Sequence, residues 1–186
     1  MPPSPDPELP PPREPGTPYR ICLVCLGNIC RSPMAETVLR AELAAAGLDG
    51  AVVVDSAGTG DWHVGDAMDP GARAALARRG YDGSAHRARQ FQAPWLGRRD
   101  LILAMDARNL ADLRRMARGR DRSIQDAGRI RLFGEVGGLT ETGGGDIPDP
   151  WGGDADEFGD VLDLLRAAAP VIAARLARRL EPRSAQ

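Results

Sequence analysis

Apolar and polar positions alternate along this chain in two different periods. From Tyr19 to Val24 the residues are apolar except Arg20 and rich in strand formers. From Pro33 to Ala46 apolar residues return at helical spacing, at Met34, Val38, Leu39 and Leu43. The switch between periods then repeats. Ala51 to Val54 reads as a second strand, and Asp69-Pro70 caps and opens a helix that runs to Arg79 and stops at Gly80. Leu101 to Met105 reads as a buried strand, Ala107 to Ala117 as an amphipathic helix, and Ile130 to Phe133 as a fourth strand. Phe158 to Leu180 closes as a helix that Pro170 is expected to kink or divide. Strands alternating with helices predict a single α/β domain: a four-stranded parallel sheet flanked by helices on both faces. Ligands of such sheets bind beyond the carboxyl ends of the strands.

At the end of the first strand stands Cys25-Leu26-Gly27-Asn28-Ile29-Cys30-Arg31-Ser32. A loop leading into a helix start is an anion site, because the first amides of the helix are unpaired and its dipole is positive there. Ser32 is expected to cap the helix and Pro33 fits its first position. The amides from Leu26 to Arg31, with Gly27 and Asn28 tolerating positive φ, can curl around an oxyanion as a phosphate-binding loop. Cys25 in this field favours the nucleophilic thiolate, and Arg31 offers two parallel donors to phosphate oxygens. Covalent attack on phosphorus is the expected chemistry.

Asp149 lies beside Trp151 at the end of a long glycine-rich stretch, Gly134 to Gly145, that can bring a carboxylate to the same sheet edge as a general acid. Asp106 is the rival acid, with capping of the helix at Ala107 as its expected role. Trp62 and Trp151 are expected to wall an aromatic substrate. Cys22 and Cys25 form a C-x-x-C, but residues three apart on a strand face opposite sides, which disfavours a shared metal. His63 and His86 add no zinc-ligand spacing, so no metal site is expected. Cys30 either packs under the loop or captures a sulfenic acid formed on Cys25.

The string CLGNICRSPMAE resembles the signature of the low-molecular-weight protein tyrosine phosphatase family, and DSAGTGDWHVGDAMD, AHRARQ and DPW follow it in the family's order. The likeness spans Tyr19 to about Leu180. It implies Cys25 as nucleophile, Arg31 as phosphate clamp and Asp149 as general acid. It also implies a polar network of Asn28, Ser32, Ser56 and His86 around the loop, with Ser32 donating to the Cys25 sulfur. A protective Cys25–Cys30 bond is supported by the same likeness. The activity implied is hydrolysis of phosphotyrosine and small aryl phosphates through a phosphocysteine, with a phosphotyrosine protein as substrate, inorganic phosphate as product, and no metal or organic cofactor. The paired tyrosines many members carry after Asp-Pro are replaced here by Trp151-Gly152. An arsenate reductase of this fold needs cysteines beyond the loop, and none follows Cys30.

At 186 residues and 42% hydrophobic content, one buried core is expected. Net charge is −2 with both signs interspersed, which argues against nucleic acid or a membrane surface as partner. Residues 1–18 contain nine prolines and no apolar run of signal-peptide length, so they are expected to form a disordered leader to a domain over 19–182, with 183–186 as a tail. No segment approaches a membrane span, and three cysteines within nine residues suit a reducing compartment, so cytoplasmic residence is expected.

Overall fold

The computed structural model describes residues 8–118, 128–140 and 144–181. Four parallel strands lie in the order β2-β1-β3-β4: β1 is Tyr19–Cys25, β2 Val52–Gly58, β3 Leu101–Ala104 and β4 Ile130–Leu132. The helices are α1 (Arg31–Ala45), α2 (Pro70–Arg78), α3 (Ala107–Ala117), a single turn α4 (Phe133–Val136) and α5 (Ala155–Leu180).

Alternate residues of β1 feed two cores. Ile21, Leu23 and Cys25 face α1, α2 and α5, whereas Cys22 and Val24 face α3 and the turn at Ala93–Gly97. Cys22 and Cys25 therefore lie on opposite faces of the sheet, as the period of two requires. The chain passes from β1 to β2 on one side and later to β3 on the other, so the order reverses at β1. The carboxyl end of β1 is thus the switch point where an open α/β sheet forms its binding crevice.

Several boundaries differ from the expectation. β2 extends to Gly58 because Asp55, Ser56 and Gly58 pair with β1 despite their polarity and small size. α1 begins at Arg31 with Cys30 at its N-cap and no side-chain cap, so Ser32 is not the capping residue; its hydroxyl is used inside the loop. α5 starts at Ala155, because Asp154 and Glu157 form a reciprocal capping box before the apolar run begins. Pro170 does not divide α5. It is exposed, as is Arg166, whose carbonyl loses its helical partner to the proline, while Leu165, Ala168, Ala169, Ile172 and Ala173 continue one buried stripe past it.

Residues 1–7 and 182–186, which include the first part of the leader and the whole tail, lie outside the described residues. Within the leader, residues 8–13 contact the domain. Leu9 is buried, the Pro10 carbonyl accepts from the Tyr19 hydroxyl at 3.0 Å, and the Arg13 amide donates to Asp100 at 2.6 Å. Arg13 also reaches the carbonyls of Arg99 and Leu96. No helix among the described residues is long and apolar enough to cross a membrane.

Candidate active site

The loop between β1 and α1 closes on the Cys25 sulfur. The Asn28 amide lies 3.3 Å from Sγ and the Ser32 hydroxyl 3.0 Å. Asn28 makes this curl possible: its φ is +57°, the left-handed region Asn tolerates best among residues with a side chain, and it is fully buried. Its carboxamide uses both donor hydrogens and its oxygen. Nδ2 donates to Ser32 Oγ and Ser56 Oγ, each at 2.9 Å, and Oδ1 accepts from the Arg89 amide at 2.9 Å. Its main-chain carbonyl takes the His86 Nε2 proton at 2.7 Å. The neutral ring is favoured, because burial, helped by Arg89 and Arg87, pushes the His86 imidazole below its ordinary value against the pull of the Asn28 carbonyl and Glu36.

These bonds set proton directions. Ser56 donates to Glu36 Oε2 at 2.5 Å and so receives from Asn28. Ser32 likewise receives from Asn28, which leaves its own hydrogen for the Cys25 sulfur at 3.0 Å or the Ala57 carbonyl at 3.4 Å. The four residues of the implied network, Asn28, Ser32, Ser56 and His86, are therefore joined, and Glu36 and Arg89 extend it. Neither of these two was singled out from the sequence, since nothing in their local pattern separates them from ordinary surface charges. Behind them Asp55 pairs with both Arg89 and Arg99, and both guanidiniums lie over the Trp95 ring, at 5.0 and 5.1 Å.

Arg31 is buried beside this loop. Nη1 donates to Asp106 at 2.5 Å and to the Ile147 carbonyl at 3.1 Å, while Nη2 donates to Asp149 at 2.7 Å. Burial works against the guanidinium charge, but Cys25, Asp106 and Asp149 outweigh it and hold Arg31 above its ordinary value. Asp106 also caps α3 through the Asn109 amide, so the two carboxylates weighed as acids sit on one arginine in different positions. The stretch carrying Asp149 is anchored, in contrast to the long loop expected. Phe133–Val136 is helical, and Ile147, fully buried, bonds through its amide to the Met105 carbonyl at 2.7 Å.

A pocket of about 160 Å³ opens above the loop, lined by Cys25, Leu26, Gly27, Ile29, Cys30, Arg31, Trp62, His63, Asp149 and Trp151. His63, which offers no zinc-ligand spacing, has its ring against Gly27 and its Nδ1 3.0 Å from Asp66. Trp62 and Trp151 stand at the mouth, 71% and 66% exposed. Cys30 is buried in the pocket wall, and burial, helped by Asp69, Cys25 and Asp149, pushes its thiol well above the ordinary range. Among the described residues, no group of three or more His, Cys, Asp or Glu side chains is arranged to hold a metal ion.

A loop of amides around a sulfur, a guanidinium beside it and a carboxylate at the rim can bind a phosphoryl group, displace its ester oxygen and protonate what leaves. A family model described as low molecular weight phosphotyrosine protein phosphatase matches residues 20–182. A low molecular weight protein-tyrosine-phosphatase from Streptomyces coelicolor is 46% identical over 167 residues, covering 90% of this chain and 99% of the relative. The crystal structure of YfkJ from Bacillus subtilis superposes with a TM-score of 0.78 at 34% identity, covering 90% of this chain and all of that one. A protein tyrosine phosphatase from Entamoeba histolytica, solved with Hepes in its active site, gives 0.77 at 29% identity over 86% of this chain and 97% of its own.

Proposed function

The chain belongs to the low molecular weight phosphotyrosine protein phosphatase family, and we propose a role for each residue of its site in the reaction that membership brings. The protein hydrolyses phosphotyrosine through a phosphocysteine intermediate. Cys25 Sγ attacks phosphorus, and the bond to the tyrosyl oxygen breaks as Asp149 gives that oxygen its proton. Water, losing a proton to Asp149, then cleaves the sulfur–phosphorus bond and releases inorganic phosphate and the free thiolate. The loop amides of Leu26 to Arg31, with the Arg31 guanidinium, carry the charge on the equatorial oxygens through both steps. Ser32 and the Asn28 amide stabilise the sulfur each time it bears charge.

Arg31 connects binding to proton transfer. Asp149 accepts from Arg31 Nη2, and among the described residues no acceptor is bonded to Nε. A phosphate gripped by Nε and Nη2 takes the place of Asp149 on the arginine, and the displaced carboxylate is the group nearest the leaving oxygen. Asp106 and the Ile147 carbonyl stay on Nη1 and hold the plane of the guanidinium throughout. Trp62 and Trp151 flank the phenyl ring, and the depth between rim and sulfur suits an aryl ester better than a serine phosphate.

The observation that carries this reading is the placement of Cys25 Sγ within 3.3 Å of an amide and 3.0 Å of a hydroxyl, in one pocket with Arg31 and Asp149. Rapid mixing with p-nitrophenyl phosphate tests it: a burst of phenol stoichiometric with enzyme is expected, and Cys25→Ser should lose turnover by at least about 10³-fold. Asp149→Asn should slow phenyl phosphate, a poor leaving group, far more than the nitrophenyl ester. Equal losses on both substrates would remove Asp149 from the acid role.

A further inference from the structure

The rim of the pocket has a charge of its own. Residues 59–69 and 144–157, which supply Trp62, His63, Asp149 and Trp151, contain eight carboxylates and no Arg or Lys, in a chain whose net charge is only −2. Asp61 and Asp156 are exposed and form no ion pair among the described residues, and Asp66, Asp154 and Glu157 are exposed beside them. Arg31, buried below the rim, is paired with Asp149, and Arg78 donates to the Ala155 carbonyl at 3.4 Å.

Set among these carboxylates are two exposed indoles, Trp62 and Trp151, with Val64 also exposed at 57%. An aromatic face beside a carboxylate is the surroundings a guanidinium or ammonium group seeks: the ring quadrupole attracts the cation, its apolar face covers the stem, and the carboxylate pairs with the head. We propose that the mouth selects phosphotyrosine embedded in basic sequence, with Arg or Lys on either side of the phosphorylated residue. This rests on the phosphatase reading above and adds the chemistry of the flanks. The phosphate itself descends to the loop amides and Arg31, inside the acidic rim. The residues before and after it remain at the rim and meet its field. An acidic flank would bring like charges together there, and a basic flank offsets a negative mouth that otherwise opposes an anionic substrate.

The test compares kcat/KM for three phosphotyrosine peptides that differ only at the two residues on each side: Arg, Ala or Asp. At low ionic strength the Arg peptide should exceed the Asp peptide by about tenfold or more, with the Ala peptide between, and at 1 M salt, where screening acts within about 3 Å, the ratio should shrink toward unity. The double variant Asp61→Arg, Asp156→Arg should reduce or invert the ratio, measured within that variant so that any change in its basal rate cancels. Equal values at low salt, or preference for the Asp peptide, would overturn the proposal. Failure of the phosphatase reading would show differently, as absence of turnover on p-nitrophenyl phosphate, which has no flanks. The peptide ratio would then be read from binding affinities to the wild-type protein, with the same outcomes for and against.

Discussion

Asn28 joins the backbone geometry of the loop to its polar network, and the two contributions can be separated by mutation. Asn28→Ala leaves Ser32, Ser56 and the Arg89 amide without their partner and also forces a Cβ-bearing residue into φ +57°. Asn28→Gly loses the same bonds but adopts that φ freely. Both should destabilise, by roughly 1–3 kcal/mol for each buried group left unpaired. The glycine variant should be the more stable of the two by about 1 kcal/mol, since a left-handed conformation costs an ordinary residue about 1–2 kcal/mol. Urea denaturation of the pair checks this, and an alanine variant as stable as the glycine one would show that the loop relaxes out of its curl. Cys30 carries a second expectation at this scale. Its thiol is pushed well above the ordinary range by burial, so at neutral pH it is a protonated and slow partner for any oxidised Cys25. Below that raised value its thiolate fraction grows about tenfold per pH unit, so the yield of a Cys25–Cys30 bond after a fixed peroxide pulse should climb steeply from pH 7 to 9. Mass spectrometry of quenched digests reads it. A yield independent of pH would indicate that protonation of the Cys30 thiol does not limit formation of the bond.

The stretch from Asp82 to Gln92 contains no helix or strand, yet it supports the loop from behind. Its backbone pairs with Gly58 through Arg89 and Phe91, His86 reaches the Asn28 carbonyl, and the Arg89 side chain is fixed by the Ser56 carbonyl and by Asp55. Arg89→Ala keeps the amide that holds Asn28 but releases the side-chain anchors, so we expect kcat to fall about tenfold with KM little changed, together with a lower melting temperature; unchanged kcat would mean that the backbone bridges alone suffice. This stretch also shows why some elements were legible in the sequence and others were not. α3 was read to its ends, because Asp106 announces its start and its apolar residues keep the helical period. β1 and the nucleophile loop were legible for the same reason: the chemistry is written in consecutive residues. β2 was read four residues short, since Asp55, Ser56 and Gly58 look like a turn until the partners above them are known. The pairing of Asp106 and Asp149 on one arginine joins residues 75 and 118 positions away from it, and no local pattern encodes that meeting. Glu36, Arg89, Arg99 and Trp95 were missed on the same ground: each acts through a neighbour supplied by a different part of the chain.

At the scale of the molecule, the two ends of the sheet do different work. β1 carries Cys25 at its carboxyl end and Tyr19 at its amino end, about 20 Å away at the rise of a strand. The amino end is closed by residues 8–18, whose Pro10 carbonyl takes the Tyr19 hydroxyl while the Arg13 and Arg20 amides share the two oxygens of Asp100. Arg129 and Arg179 fasten the same segment through the carbonyls of Pro11 and Pro10. Deleting residues 1–13 uncovers Leu9's site and frees the Tyr19 hydroxyl, and from burial of one leucine plus the bonds lost we expect a cost of about 2–4 kcal/mol. In a domain of this size that is a fall in melting temperature of roughly 5–10 °C, with kcat and KM on p-nitrophenyl phosphate unaltered because the site lies at the other end of the strand. Tyrosine ionisation gives an independent readout. Burial pushes the Tyr19 phenol above its ordinary range, with Asp100 adding to the shift, so Tyr19 should resist ionisation in the full chain and ionise at lower pH in the shortened one. The sign for stability follows: the unfolded chain loses the Tyr19 proton near pH 10 and the folded chain keeps it, so the full chain, stable below that pH, should lose stability as pH rises beyond it, and the shortened chain should lose less. A deletion that left both the melting temperature and the titration unchanged would mean that the leader is a passive tail, and that Tyr19 is held by the domain alone.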